Sequence, residues 1–316
     1  MHELTSTRAN PMIDPSLHIW GWEISVYLFL GGMVAGMMII SGYFLIRGRH
    51  EQMDCSCLMV PGISLVLLSL GMLALFLDLE HRWYFWRMYL TFQPGSPMSW
   101  GTWILLFVYP ALLANMAIRL PLWIETRFPG LATVSAKLRA KPRWIWSIGA
   151  ANLALGLLLG VYTGVLLSAF GARPLWNSAI LAPLFLVSGL STAAAFVHVT
   201  ARNAEERVIL AKADNGFLAT ELVILALFLI GLLSSTGVHI ASAHLLLTGP
   251  FAPAFWIGVV GLGIAIPLFI QSLAVTHRIR HTPVAPILVI AGGLVLRFVI
   301  VNAGQASHWT RMFLTK

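Results

Sequence analysis

Charged side chains are scarce in this sequence. Asp, Glu, Lys and Arg make up 10% of its 316 residues, whereas a soluble domain is about 25% charged. Hydrophobic residues make up 58%, and the mean hydropathy is +0.83. This composition excludes a domain surrounded by water and predicts a membrane protein with several spans. Because most basic residues fall in short loops between apolar segments, we interpret the net charge of +8 as a determinant of topology and lipid contact rather than of nucleic-acid binding.

Metal-binding and nucleotide-binding motifs are missing as well. Cys55 and Cys57 form a single C-x-C pair, which cannot complete a four-ligand zinc or iron–sulfur site. His18 and His198 are predicted near opposite membrane faces, so they are not the matched pair that a b-type haem needs, and no C-x-x-C-H is present. We therefore expect no metal or haem. The sequence also lacks a P-loop, a dinucleotide fingerprint, H-E-x-x-H and G-x-S-x-G. It therefore gives no sign of an NTPase, a nicotinamide-dependent enzyme or a hydrolase.

Eight segments are long and apolar enough to cross a bilayer, which needs about 20 residues per helix. They are residues 20–46, 58–79, 100–120, 146–169, 177–200, 216–236, 253–275 and 284–303. The second and sixth segments share the string LALFL, which suggests two related halves. The sequence thus predicts an all-α polytopic membrane protein with eight transmembrane helices in two four-helix bundles, residues 1–170 and 171–316.

Basic residues are distributed unevenly between the two sides of this predicted protein. The loops at 47–57, 119–146, 201–215 and 276–283 carry 13 Lys and Arg, and the termini and other loops carry 6. Since basic loops stay on the cytoplasmic side of a membrane, both termini should face outward. The aromatic loop at residues 80–99 should face outward with them.

Four polar residues of the first half are predicted at one depth, near the outer face: His18, Glu23, Asp78 and Tyr162. Ionisable residues within spans are costly and usually face a bundle interior or a wet cavity, so these four predict a polar pocket. Each has a simpler interpretation. His18 could be an interfacial histidine, Glu23 a neutral buried acid, Asp78 a partner of Arg82 at the helix end, and Tyr162 a packing residue.

The second half places Arg297 in the middle of a span and Glu221 nearer the inner face. A buried arginine needs a carboxylate or backbone carbonyls as partners. We therefore expect a structural ion pair or a hydrogen-bonded plug. The alternative is that Glu221 and Arg297 belong to a proton path.

Four longer motifs occur in order along the sequence: WGWEISVYLFLGGMVAG at 20–36, PGSPMSWGTW at 94–103, GVYTGVLLSAFGARPLWN at 160–177 and LRFVIVNAGQ at 296–305. Together they resemble the NrfD/PsrC family, the membrane subunits of polysulfide-reductase-type complexes, over essentially the whole chain. The resemblance implies eight helices in two bundles and no redox cofactor of the protein's own. It also implies a bound quinone, such as menaquinone, in the first bundle near the outer face of a bacterial cytoplasmic membrane.

The resemblance further implies roles for particular residues. His18 matches the first-helix position that contributes to the family's quinone pocket, and Tyr162 matches the tyrosine of the fourth helix. Asp78 stands where the family often has a polar group, and the match of Glu23 is less close. A docked ferredoxin-like iron–sulfur subunit would carry electrons to or from a molybdopterin enzyme or a multihaem cytochrome.

The outer aromatic loop is the predicted contact surface for that partner. It offers Arg82, Trp83, Trp86 and Arg87, although an interfacial amphipathic helix is an equally simple interpretation of this pattern. The predicted function is a membrane anchor that exchanges electrons between menaquinone or menaquinol and the iron–sulfur subunit.

Two other functions stay open. One is a proton-translocating module of a redox complex. The other is a secondary transporter, which the equal orientation of the two predicted halves disfavours.

Overall fold

The computed structural model describes residues 20–49, 59–118, 120, 122–201, 203–275 and 282–309. His18, Cys55 and Cys57 lie outside these ranges. Within the ranges the chain is helical and has no strand, and eight helices are long and apolar enough to cross a membrane. This confirms the predicted all-α class with eight membrane-length helices.

The helices follow one another in the order of the predicted spans. They are α1 (Trp22–Ile46), α2 (Val60–Asp78), α3 (Arg87–Leu90), α4 (Pro97–Ile118), α5 (Leu122–Arg127), α6 (Pro129–Arg139), α7 (Pro142–Ser168), α8 (Leu181–Thr200), α9 (Ala204–Leu233), α10 (Gly237–Leu247), α11 (Ile266–Val275) and α12 (Val284–Ala306). A π-helical stretch, Ala254–Ala265, leads directly into α11 and completes the seventh span. The short helices α3, α5, α6 and α10 occupy segments that the sequence predicted as loops.

Helix α9 begins well before the predicted span at residue 216. Asn203 caps its first turn, because its side chain accepts a hydrogen bond from the backbone N–H of Glu205 at 2.9 Å. The segment that follows carries several charges, and this was the reason to predict a loop. In the structure two of its carboxylates, Glu206 and Asp214, are buried against neighbouring helices.

Successive membrane-length helices run in opposite directions, so their ends lie on two sides of the molecule. We call the end where α1 finishes and α9 begins the basic side, because the Lys- and Arg-rich connections lie there. The opposite side holds the start of α1, the end of α2 and the end of α12.

Glycines bring the central helices into close contact. A Cβ at Gly36 of α1 would lie 2.6 Å from the carbonyl oxygen of Gly189 in α8. A Cβ at Gly156 of α7 would lie 2.7 Å from the carbonyl oxygen of Ala35. Small residues allow such approach where lipid supplies no hydrophobic drive between helices. Helix α1 therefore packs against both α7 and α8.

The contacts between helices define two groups. The N-terminal group is α1, α2, α4 and α7, and the C-terminal group is α8, α9, the π-helical stretch with α11, and α12. Because α1 also contacts α8 and α12, the boundary between two separate bundles at residue 170 stays a prediction.

Candidate functional site

A cavity of about 100 Å³ lies between the opposite-side ends of α1, α2, α4 and α7, with α3 beside it. Its walls are mostly apolar, and its polar groups are Tyr27, Tyr89, Thr102 and Tyr162. Small-molecule sites usually measure about 300–1,000 Å³. Methionines from α2, α3 and α4 line this cavity, and methionine is a flexible side chain that fills irregular spaces.

The centre of the cavity holds a pair of tyrosines. Tyr27 of α1 is 2% exposed and Tyr162 of α7 is 6% exposed, and their hydroxyl groups are close enough to interact. A buried phenol needs such a partner. When one hydroxyl of the pair donates to the other, the pair keeps further capacity to donate to or accept from a ligand.

A third phenol closes the cavity from the connection after α2. Tyr89 lies on α3, outside the membrane-spanning helices, and its ring centroid is 6.5 Å from that of Phe85. Partial burial raises the pKa of the Tyr89 phenol above its ordinary value, and the nearby Tyr109 adds to the rise. Tyr89 therefore stays protonated and able to donate a hydrogen bond at neutral pH.

Two wall residues of the cavity are half exposed. Phe85 is 46% exposed and Met98 is 47% exposed. Both lie at the opposite-side end of the N-terminal group, close to the exposed apolar surface of α2.

Gly101 of α4 leaves the space that the Tyr162 side chain fills. A Cβ at this position would overlap the ring and hydroxyl of Tyr162. We expect Gly101→Ala to displace Tyr162 and to lower turnover of any ligand held there by roughly 10–100-fold. Steady-state assays of the membrane complex would measure this. Gly95→Ala, where the added methyl meets open space, is the matched control, and equal rates for both variants would contradict the assigned position of Tyr162.

The predicted acidic residues lie beside the cavity rather than in its wall. Asp78 and Glu23 are close enough for their charges to interact. Asp78 lines a neighbouring open cleft of about 740 Å³, together with Trp20 and Glu80. Of the four residues predicted at one depth, the structure thus places Tyr162 in the cavity and Glu23 and Asp78 next to it. His18 lies outside the described residues.

Arg82 binds a backbone oxygen in the structure, whereas the alternative interpretation paired it with Asp78. The guanidinium of Arg82 donates to the backbone oxygen of Leu77 at 2.6 Å, where it caps the end of α2.

The predicted partner-contact residues form an exposed aromatic surface after α2. Trp83 is 86% exposed and Trp86 is half exposed. The Arg87 guanidinium carbon lies 4.5 Å from the centroid of the Tyr84 ring, a cation–π contact. Together with Arg82, these residues present aromatic rings and positive charge on the opposite side of the molecule.

The structure brings Glu221 and Arg297 into one buried cluster. Arg297 donates to the hydroxyl of Ser188 at 2.9 Å and to the backbone oxygen of Phe185 at 3.0 Å. Its guanidinium carbon lies 4.3 Å from the centroid of the Phe185 ring. Ser188 in turn lies close enough to Glu221 to interact with it, and the charge of Glu221 interacts with that of Arg297. Arginine and glutamate are thus linked through a serine.

Two residues of this molecule were not singled out in the sequence. Tyr27 lies within the apolar string YLFL of the first span, and one turn separates it from Glu23, which was the available signal. Asp214 was assigned to a loop, but it lies about two helical turns before Glu221 on the same face of α9. A helical interpretation of residues 204–215 would have found it.

Comparison with known proteins identifies the family. The model of the family described as "Polysulphide reductase, NrfD" matches residues 11–307. The chain belongs to the NrfD family.

Curated relatives match this NrfD-family protein over nearly its full length. It is 29% identical to "Protein NrfD homolog" of Haemophilus influenzae, over 93% of its own length and 97% of the relative. It is 30% identical to the C chain of the polysulfide reductase of Wolinella succinogenes, over 91% and 94%. It is also 30% identical to "Protein NrfD" of Escherichia coli, over 91% and 95%.

Proposed function

We propose that this protein is the quinone-reactive membrane subunit of a respiratory oxidoreductase complex. The observation that carries the proposal is the pair of Tyr27 and Tyr162 in an apolar cavity at the opposite-side end of the N-terminal group. An apolar wall suits a lipid-soluble ring and tail, and the phenols suit the two quinone oxygens. Menaquinone, or another quinone, is the proposed ligand.

The protein's own side chains would orient the ligand and handle its protons. Quinone chemistry moves two electrons and two protons between quinone and quinol. The hydroxyl groups of Tyr27 and Tyr162 can donate to a quinone oxygen or accept from a quinol hydroxyl. Glu23 and Asp78, which lie beside the cavity, are placed to exchange those protons with water on the opposite side. His18 lies two residues before Trp20 in the sequence, and we include it in the same proposed group.

A partner must take up or supply the electrons. We infer a ferredoxin-like iron–sulfur subunit on the opposite side, which connects this protein to a molybdopterin enzyme or a multihaem cytochrome. The relative that is named as one of the chains of a polysulfide reductase supports membership of a multi-subunit reductase. The exposed surface of Arg82, Trp83, Trp86 and Arg87 supports docking there, because aromatic residues and arginine are enriched where proteins bind each other.

The location follows from the same assignments. We infer a bacterial cytoplasmic membrane, with the basic side in the cytoplasm and both termini in the periplasm.

The quinone proposal is tested on the complex isolated through a tag on this protein. We expect it to oxidise a water-soluble menaquinol analogue with an artificial acceptor, or to reduce the quinone with an artificial donor. A complex that contains iron–sulfur protein but shows neither activity would contradict the proposal.

The docking surface is tested with the double variant Trp83→Ala/Arg87→Ala. We expect the amount of iron–sulfur protein that co-purifies to fall about 10-fold, which corresponds to about 1.4 kcal/mol. Quinone binding by the membrane subunit itself should be unchanged. The matched control is Arg143→Ala/Trp146→Ala, which removes the same residue types from the basic side. Equal co-purification with all three forms would rule out this surface as the docking site.

A second candidate function is proton translocation. The observation that favours it is the linked set of Glu221, Ser188 and Arg297, all buried within the C-terminal group. A series of hydrogen-bonded ionisable groups inside a membrane protein is a common form of proton relay. Proteoliposomes that carry the complex and a pH-sensitive dye would decide between the candidates, since translocation moves protons beyond those released or consumed by the quinone.

A further inference from the structure

A second cleft of the N-terminal group lies on the basic side, between the end of α1, the end of α6 and the start of α7. Its volume is about 480 Å³, within the range of small-molecule sites. Arg139 and Arg143 give its lining positive charge, and Leu45, Ile145 and Trp146 give it apolar surface. The cavity of the tyrosine pair lies at the other end of α1 and α7 and shares no lining residue with this cleft.

The positive charge of the cleft is poorly neutralised. Arg139 has an acidic partner in Glu125, but the two atoms are 3.4 Å apart and both side chains are partly exposed, and such pairs contribute little. Arg143 is exposed and forms no ion pair with the residues that the structure describes. Residues 122–146 carry five basic side chains and one acidic side chain. This part of the surface therefore attracts an anion.

The first turn of α7 strengthens the preference for an anion. Helix α7 is 27 residues long and begins at Pro142, which lines the cleft next to Arg143. Its N-cap residue, Lys141, makes no side-chain hydrogen bond to the first turn. The N-terminus of a helix carries the positive end of the helix dipole and backbone N–H groups that lack partners within the helix. Both features add to the positive charge of the two arginines.

Helix α6, which ends at the cleft, has the pattern of a helix that lies on a membrane surface. Leu131, Val134 and Leu138 share one face, because they are three and four residues apart. Leu131 and Val134 are each 47% exposed. The hydroxyl of Ser135 donates to the backbone oxygen of Ile118 at 3.1 Å and holds α6 against the end of α4. A helix with an apolar face and a basic last turn suits the interface between lipid headgroups and acyl chains.

Tryptophan residues mark the same level at the start of α7. Trp144 is 53% exposed and Trp146 is 59% exposed, and tryptophan is enriched where a membrane meets water. The cleft thus lies at the level of the lipid headgroups, with its arginines beside its apolar wall. An occupant with a negative charge at one end and hydrocarbon at the other matches both parts of the lining.

We propose that this cleft binds an anionic phospholipid. The guanidinium groups of Arg139 and Arg143 donate hydrogen bonds to the phosphate oxygens, and the acyl chains lie along Ile145 and Trp146. Basic pockets between membrane helices bind lipid headgroups of this kind. A zwitterionic lipid has no net charge to offer the arginines, and a soluble phosphate would leave the apolar wall uncovered. The site does not depend on the proposed quinone site.

Native mass spectrometry of the tagged complex tests this proposal. The complex is stripped of lipid in detergent and titrated with phosphatidylglycerol or phosphatidylcholine. We expect the wild type to prefer phosphatidylglycerol, and Arg139→Gln/Arg143→Gln to weaken its binding by about 30-fold, because two basic residues are lost. Arg139→Lys/Arg143→Lys keeps both charges and should retain most of the affinity. Lys212→Gln, which removes an exposed positive charge from α9 on the same side, is the control and should bind as the wild type.

Three results would overturn the lipid site. They are equal affinity of the wild type and the glutamine double variant for phosphatidylglycerol, equal affinity of the wild type for the two lipids, and displacement of the bound lipid by inorganic phosphate, which would identify a site for soluble phosphate. The iron–sulfur subunit docks on the opposite side in our account, so all variants should co-purify it equally.

A labelling experiment on the wild type covers the case in which the glutamine double variant does not assemble. Photoreactive phosphatidylglycerol should label α6 and the first turn of α7, and excess unlabelled phosphatidylglycerol should remove this label. Competable label found only on other helices would overturn the proposal. Neither outcome bears on quinone turnover, so the lipid site and the quinone site stand or fall separately.

Discussion

Tyr162→Phe is expected to lower quinone-coupled turnover by about 100-fold or more, the usual effect of losing a group that transfers a proton in the transition state. The change removes a single oxygen. Tyr162 is buried, its hydroxyl group interacts with that of Tyr27, and its side chain lines the cavity. Steady-state turnover of the complex in membranes measures the effect. His18, which shares the predicted pocket, should show a loss of the same kind when replaced by alanine.

Assembly should survive the Tyr162 substitution. Phenylalanine fills nearly the same volume, so the complex should accumulate normally and keep its partner. Tyr43→Phe is the matched control, because Tyr43 lies at the other end of α1 and is exposed. Normal turnover of Tyr162→Phe, with the wild-type level of complex, would remove Tyr162 from the site.

Arg297→Met is expected to destabilise the protein by about 3–5 kcal/mol. Removing one member of a buried charged network leaves the others uncompensated, and here Ser188, Glu221 and the backbone oxygen of Phe185 all lose their link to the guanidinium. Most folded domains are stable by only about 5–15 kcal/mol. The amount of protein in the membrane and its melting temperature in detergent should therefore fall sharply.

The double variant Arg297→Met/Glu221→Gln separates charge from packing. Neutralising Glu221 removes the uncompensated carboxylate, so part of the lost stability should return. If the single and double variants melt at the same temperature, the charge interaction between residues 221 and 297 contributes nothing to stability, and loss of packing against Phe185 accounts for the effect.

Hydropathy was sufficient to predict the helices, because each span has to satisfy its backbone hydrogen bonds internally and needs a fixed length of apolar sequence. It failed at the start of α9, where charges suggested a loop. A single sequence does not indicate that Glu206 and Asp214 face protein instead of water. That information lies in the packing of α8 and α11 against α9.

The sequence singled out one of the two tyrosines that the structure brings together in the cavity. Tyr162 was found because it is a polar residue at a depth shared with others. Tyr27 was missed because tyrosine within YLFL adds little polarity to the span, and its role depends on contact with Tyr162 of a helix far away in sequence. In the structure Glu23 and Asp78 are close enough for their charges to interact. Depth alone could not show that they face a cleft beside the cavity.

The central claim is that a quinone binds between α1, α2, α4 and α7 at the tyrosine pair. Photo-labelling of the tagged complex with an azido-quinone, followed by mass spectrometry, tests it most directly. We predict labelled residues on the walls of the cavity, around Tyr27, Met98 and Leu166, and loss of label with excess menaquinone or in Tyr162→Phe. Competable label confined to the C-terminal group, or equal labelling of the wild type and Tyr162→Phe, would contradict the account.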